Sequence, residues 1–164
     1  MRFLFLMTLL VWSAGAHGAE PLPVPRGPIV LTITGNIEQT NAPGEARFDA
    51  PILEGLGLES LTTQSAMASK PQVFEGVPQR AVLDRLGAKG VVPRAVALNS
   101  YRVSIPLDDL QYDPILAMRA DGQVLKVRDK GPLWIVYPRE KYKILQDVKY
   151  AARWVWQLKQ LHVE

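Results

Sequence analysis

Ile115-Leu116-Ala117-Met118-Arg119-Ala120-Asp121-Gly122-Gln123-Val124-Leu125-Lys126-Val127 runs straight into Arg128-Asp129-Lys130-Gly131-Pro132-Leu133-Trp134-Ile135-Val136-Tyr137-Pro138. The first half predicts a hairpin. Ile115 to Met118 and Val124 to Val127 flank Asp121-Gly122, a dipeptide suited to the positive-φ positions of a two-residue turn. The second half is a charged loop feeding a strand that is apolar from Leu133 to Tyr137 and therefore buried on both faces. Gly131 permits a close backbone turn, Pro132 starts the strand and Trp134 supplies a large apolar anchor. Strands follow one another here without an intervening helix, which argues against a βαβ architecture.

The same pattern extends outward. Val91 to Leu98 and Tyr101 to Ile105 alternate around Asn99-Ser100 and predict a second hairpin, followed by one acidic helical turn over Pro106 to Leu110. Pro78 to Leu86 predicts a helix, with Val82, Leu83 and Leu86 as its stripe and Gly87 as its stop. Ile29 to Thr34, Arg47 to Asp49, Leu58 to Gln64 and Val73 to Gly76 read as extended, and Asp49 is placed to cap a brief helix through Leu56. Tyr142 to Ala152 predicts a further short helix. Arg153 to Val163 fits either period, and its Trp and Val content favours a strand. The expectation is a mixed, largely β, α+β domain with two or three short helices.

The chain has 164 residues, 19 Lys+Arg, 16 Asp+Glu and no Cys. Met1-Arg2, the apolar run Phe3 to Trp12 and the small residues up to Ala19 have the layout of a secretory signal peptide. The run is about half the ~20 residues a membrane span requires. Residues 1–19 are therefore expected to be a cleaved leader, residues 20–28, with four prolines, an extended lead-in, and residues 29–164 one domain. That makes the mature protein periplasmic or secreted, with no membrane span. A net charge of +3 is too small to imply nucleic acid. Arg119 to Glu164 nevertheless holds 10 basic against 5 acidic residues, a face that suits an anion or an acidic partner as well as plain solvation.

Most chemistry is excluded by composition. Without Cys there is no disulfide, thiolate zinc site or cysteine nucleophile. His162 is the only histidine after the leader, too few for a His-based metal site and badly placed for a Ser-His-Asp triad. Gly55-Leu56-Gly57 lacks the rest of a dinucleotide fingerprint. Asp108-Asp109 and Asp113 read as a solvated acidic turn rather than a catalytic pair. Arg128 and Lys130 remain. They can hold a phosphate or carboxylate, or Arg128 can simply pair with Asp129 to order the turn.

Several short motifs, taken in order, resemble the molybdopterin-binding domain of the sulfite oxidase family. They are Phe74-Glu75-Gly76-Val77-Pro78 leading into Val82-Leu83-Asp84-Arg85-Leu86-Gly87, then Ala97-Leu98-Asn99-Ser100-Tyr101 with Ile105-Pro106, Ile115-Leu116-Ala117 with Asp121-Gly122, Lys130-Gly131-Pro132-Leu133-Trp134 and Trp154-Val155-Trp156-Gln157-Leu158. The chain is similar in particular to small exported proteins that carry this domain alone. The resemblance implies a sulfite oxidase-type fold over roughly Ile29 to Val163. It also implies a cysteine thiolate on molybdenum, and here the matching region, Ser60 to Ser65, offers Thr62 and Thr63 instead. A hydroxyl stays protonated at neutral pH and is a poor soft-metal ligand.

The leading expectation is thus a non-catalytic homologue that needs no cofactor and binds a small anion or a protein partner. Thr62, Thr63, Tyr101, Arg128, Lys130 and Trp134 are its candidate ligand-binding residues, with no catalytic residue and no metal. Two alternatives stand beside it: an oxidoreductase holding molybdopterin without a protein thiolate, and an accessory subunit of an envelope complex.

Overall fold

A computed structural model of the chain describes residues 20–91 and 93–164. The expected leader lies outside them. The described chain is mixed α+β and mostly sheet, as the strand-rich pattern implied. Ten strands, β1 (Leu31–Gly35), β2 (Glu45–Phe48), β3 (Glu59–Thr63), β4 (Gln72–Pro78), β5 (Pro93–Ala97), β6 (Arg102–Ser104), β7 (Ile115–Ala120), β8 (Gln123–Val124), β9 (Trp134–Val136) and β10 (Leu158–Val163), alternate with three short helices, α1 (Ala50–Glu54), α2 (Gln79–Arg85) and α3 (Val148–Ala151). None of these helices is long and apolar enough to cross a membrane.

One sheet has the order β2-β1-β10-β5-β6, with β1 and β10 parallel at its centre. The other runs β3-β4-β7-β8, and β9 pairs with β7 beside β8. The buried side chains of both sheets form one contiguous core. All three residues of β9 are buried, as an uninterrupted apolar run requires.

The short motifs act as expected where local chemistry governs. Asp121 and Gly122 take φ of 49° and 75°, closing the β7–β8 hairpin. The Asp49 carboxylate accepts the Ile52 N–H at 3.1 Å and caps α1. The proline-rich lead-in is extended but strapped down: Asp49 also accepts from Arg26 N and Gly27 N, and Arg85 donates to the Glu20 carbonyl. β4 and β7 slip register between Glu75 and Gly76, and there β7 crosses so close that a Cβ on Gly76 would overlap the Leu116 carbonyl.

Three elements depart from the pattern for a visible local reason. β8 stops at Val124 because Leu125 turns into the core and the chain enters a 3-10 turn over Val127–Asp129. The helix expected over Tyr142 to Ala152 is split into a 3-10 turn, Lys143–Gln146, and α3, because Asp147 is extended between them and caps the second piece. The strand expected from Arg153 begins only at Leu158, since Gln157 sits in the left-handed region at φ 53°. The segment before it is not loose. Ile135 N bonds Val155 O and Leu158 N bonds Leu133 O, both at 2.9 Å, so Trp154 and Trp156 are fixed beside β9.

Candidate functional site

The loop from Lys126 to Gly131 is well tied for its length. Its own Lys126 carbonyl accepts the Asp129 N–H at 2.7 Å and the Gly131 N–H at 2.8 Å. Gln157 clamps it from outside, donating its backbone N–H to Lys130 O and its side-chain amide to Val127 O, each at 2.8 Å. Gly131 backs onto the Leu125 carbonyl with no room for a Cβ, which explains the glycine. The result is three cations, Lys126, Arg128 and Lys130, lining one cavity of about 480 Å³ with Gln72, Gln123 and Trp134. Arg128 also pairs with the adjacent Asp129 at 3.4 Å, both side chains largely exposed, a contact of little energetic weight.

Lys130 differs from the other two. Its ammonium stands 4.4 Å from the Trp134 ring centroid and 5.5 Å from that of Trp156. Against two indole faces the cation is held in place and partly shielded from water. Trp134 is buried, meets Phe74 edge-on at 5.2 Å and Trp154 at 6.0 Å, and its indole N–H has no hydrogen-bond partner among the described residues.

Trp156 also lines a second, more apolar cleft of about 260 Å³, together with Met67, Ala97, Asn99, Tyr101, Ala151, Ala152, Trp154 and Val155. Tyr101 is placed by the β5–β6 turn, where Ser100 takes φ 68° and Asn99 Oδ1 accepts the Tyr101 N–H at 3.0 Å. Its hydroxyl donates to the Ala152 carbonyl at 3.0 Å. Of the six residues the sequence singled out, Arg128, Lys130 and Trp134 therefore share one cavity, and Tyr101 lines a separate one.

Thr62 and Thr63 line neither. Thr62 is exposed on the edge strand β3. Thr63 is buried, and its hydroxyl lies 2.6 Å from Glu140 Oε2 and 3.1 Å from Tyr137 O, while accepting the Arg139 N–H at 3.1 Å. Glu140 Oε1 also takes the Gln64 N–H at 3.0 Å. β3 and β9 flank opposite edges of the β4–β7 pair, so this knot draws the end of β3 to the turn after β9. Such a donor set does not fit a soft metal. The one buried hydroxyl is neutral and already engaged on three sides, and Glu140 brings hard oxygen rather than sulfur.

One site residue corrects the sequence reading of the acidic turn. Asp108 is exposed as expected, but Asp109 is only 3% exposed. Its carboxylate accepts the Tyr137 hydroxyl at 2.9 Å and Arg153 Nη1 at 2.6 and 2.7 Å. Burial, with the Asp109 charge and hydrogen bond behind it, pushes the Tyr137 hydroxyl far above the usual phenol range, so it stays protonated. The available signal was Tyr137 itself, since a buried tyrosine in an apolar strand needs a partner for its hydroxyl. Glu140, Met67 and Trp156 carried no such local sign.

The class this architecture defines is a mixed, largely β, α+β fold. Among solved structures the chain is similar to the sulfane dehydrogenase SoxCD from Paracoccus pantotrophus, with a TM-score of 0.60 and 18% identity over 82% of this chain. It spans 37% of that protein's chain, and at this identity the likeness shows the fold alone. No family model and no curated protein matches the sequence.

Proposed function

We propose that this protein is an exported, non-catalytic relative of the molybdopterin-binding domain that binds a small anion at the Lys126–Lys130 loop. The observation that carries the reading is the hydrogen-bonded loop itself, which sets three cations around one cavity against the single carboxylate of Asp129. Preordering matters because little backbone entropy then remains to be lost on binding. The Thr63 knot supports the non-catalytic half of the reading: no thiolate is present, and the hydroxyl nearest the family's metal position is already bonded to Glu140.

Production in a host that makes the molybdenum cofactor, followed by measurement of molybdenum and pterin per chain, tests the first half. Neither should co-purify, and stoichiometric cofactor overturns the reading. Equilibrium binding of sulfate or phosphate tests the second. It should weaken with rising salt and in Arg128→Gln, since the attraction is between exposed charges.

A further inference from the structure

β3 is an edge strand without the protections that the other edges carry. The outer backbone groups of β2 are taken up: Glu45 exchanges two bonds with the Ala42 backbone, and Arg47 two with the Asn41 side chain. β6 and β8 are only three and two residues long, and Ile135 of β9 bonds Val155. β3 runs five residues, Glu59–Thr63, with no Lys, Pro or bulge, the usual devices that keep another strand from adding.

The direction of its backbone follows from β4. Val73 faces away from β3, its carbonyl accepting the Asp121 N–H at 2.7 Å and its own N–H reaching Asp121 Oδ1 at 2.9 Å. Backbone groups alternate along a strand, so Gln72 and Phe74 turn toward β3 and meet Thr63 and Leu61. Ser60 and Thr62 therefore aim their N–H and C=O groups outward, and neither finds a backbone partner there among the described residues. Gln64, next in that series, is sealed by Glu140 Oε1, which closes the window after Thr62. Beside Glu59, Ser60 and Leu61 lies a hollow of about 600 Å³ instead of another strand.

We infer that β3 is the interaction surface for a second copy of this chain, the two strands pairing antiparallel about a two-fold axis at Leu61. In that register Ser60 of each copy exchanges both backbone bonds with Thr62 of the other. Leu61 meets its own equivalent, apolar against apolar. Glu59 opposes Thr63, so no like charges stand directly opposite. A foreign strand has less to select it, because the hollow carries Glu59, Asp84 and Asp113 beside Arg80 and Lys141 and favours neither sign. The contact is small, which makes the dimer a weak one, with a Kd on the order of 100 μM. This association goes beyond the anion-binding reading and does not depend on it.

Sedimentation velocity over rising concentration, with two charge variants, tests it. Ser60→Lys/Thr62→Lys sets lysine against lysine across the axis, and Ser60→Asp/Thr62→Asp sets aspartate against aspartate. Both positions are exposed, so the fold should tolerate either pair. Each variant alone should associate about tenfold more weakly than the wild type, and an equimolar mixture of the two should restore association. The chain has no cysteine, so Leu61→Cys reports the register without interference. Its two copies would stand about 4.5 Å apart at Cα, within disulfide reach, and should oxidise to a covalent dimer faster than Ser69→Cys at an exposed position elsewhere. A wild type that stays monomeric up to about 1 mM overturns the inference. So does a dimer indifferent to both charge pairs, or a Leu61→Cys variant that cross-links no faster than Ser69→Cys.

Discussion

Thr63 does structural work with its hydroxyl. Its hydroxyl joins β3 to Glu140 and to the backbone after Tyr137, so Thr63→Val should destabilise the fold by roughly 1–3 kcal/mol. The loss belongs near the lower end, because Glu140 is exposed and can return to water. Urea unfolding measures it. Asp109 is the stronger case. Removing it strands the buried Tyr137 hydroxyl and the largely buried Arg153 cation, so Asp109→Ala should cost about 3–5 kcal/mol. Asp108→Ala, at the exposed neighbour, should stay within about 0.5 kcal/mol. Equal losses in the two variants would refute the buried network. This contrast also marks a limit of sequence reading at single residues: Asp108 and Asp109 are chemically identical, and only the direction each side chain takes from the 3-10 turn Leu107–Tyr112 separates them.

At the scale of elements, two glycines with different physical reasons give a test. Gly122 needs positive φ but has open space around it, so Gly122→Ala should cost roughly 1 kcal/mol. Gly76→Ala must push β4 away from β7 at the centre of a sheet and should cost ~3 kcal/mol or more, or prevent soluble expression. The lead-in offers a pH-dependent test. Although burial works against its charge, hydrogen bonds from the Gly27, Arg26 and Ile52 N–H groups hold Asp49 below the usual carboxylate range. The folded state therefore binds that proton less readily than the unfolded chain. The stabilisation is complete above the ordinary carboxylate pKa and is lost as pH falls toward the lowered one. Thermal unfolding between pH 6 and pH 3 should show a steeper acid loss for the wild type than for Asp49→Asn, and proteolysis near Gly27 should rise in step.

At the scale of the whole molecule, the last strand lies near the middle. β10 separates β1 from β5, and without it one sheet becomes two unpaired pieces. A chain ending at Gln157 should show no cooperative thermal transition, and a sharp one would contradict the central role of β10. The same long-range closure assembles the candidate site. Lys130 and Trp134 are close in sequence, but Trp156 reaches Lys130 only because Val155 bonds β9.

What the sequence determined by itself was whatever depends on short-range chemistry. The Asp121-Gly122 turn, the Asp49 cap, the apolar run of β9 and the mixed, largely β class all follow from conformational preference and periodicity within a few residues. The loop of Arg128 and Lys130 stood out for the same reason, as charge placed beside a buried strand. Tertiary structure decided the rest. It set the parallel pairing of β1 with β10, the burial of Asp109, the engagement of Thr63 by Glu140 and the two indoles around Lys130. Each of these joins groups far apart in the chain, and their meeting depends on how the two sheets close over a common core, a global balance of packing that no local pattern encodes.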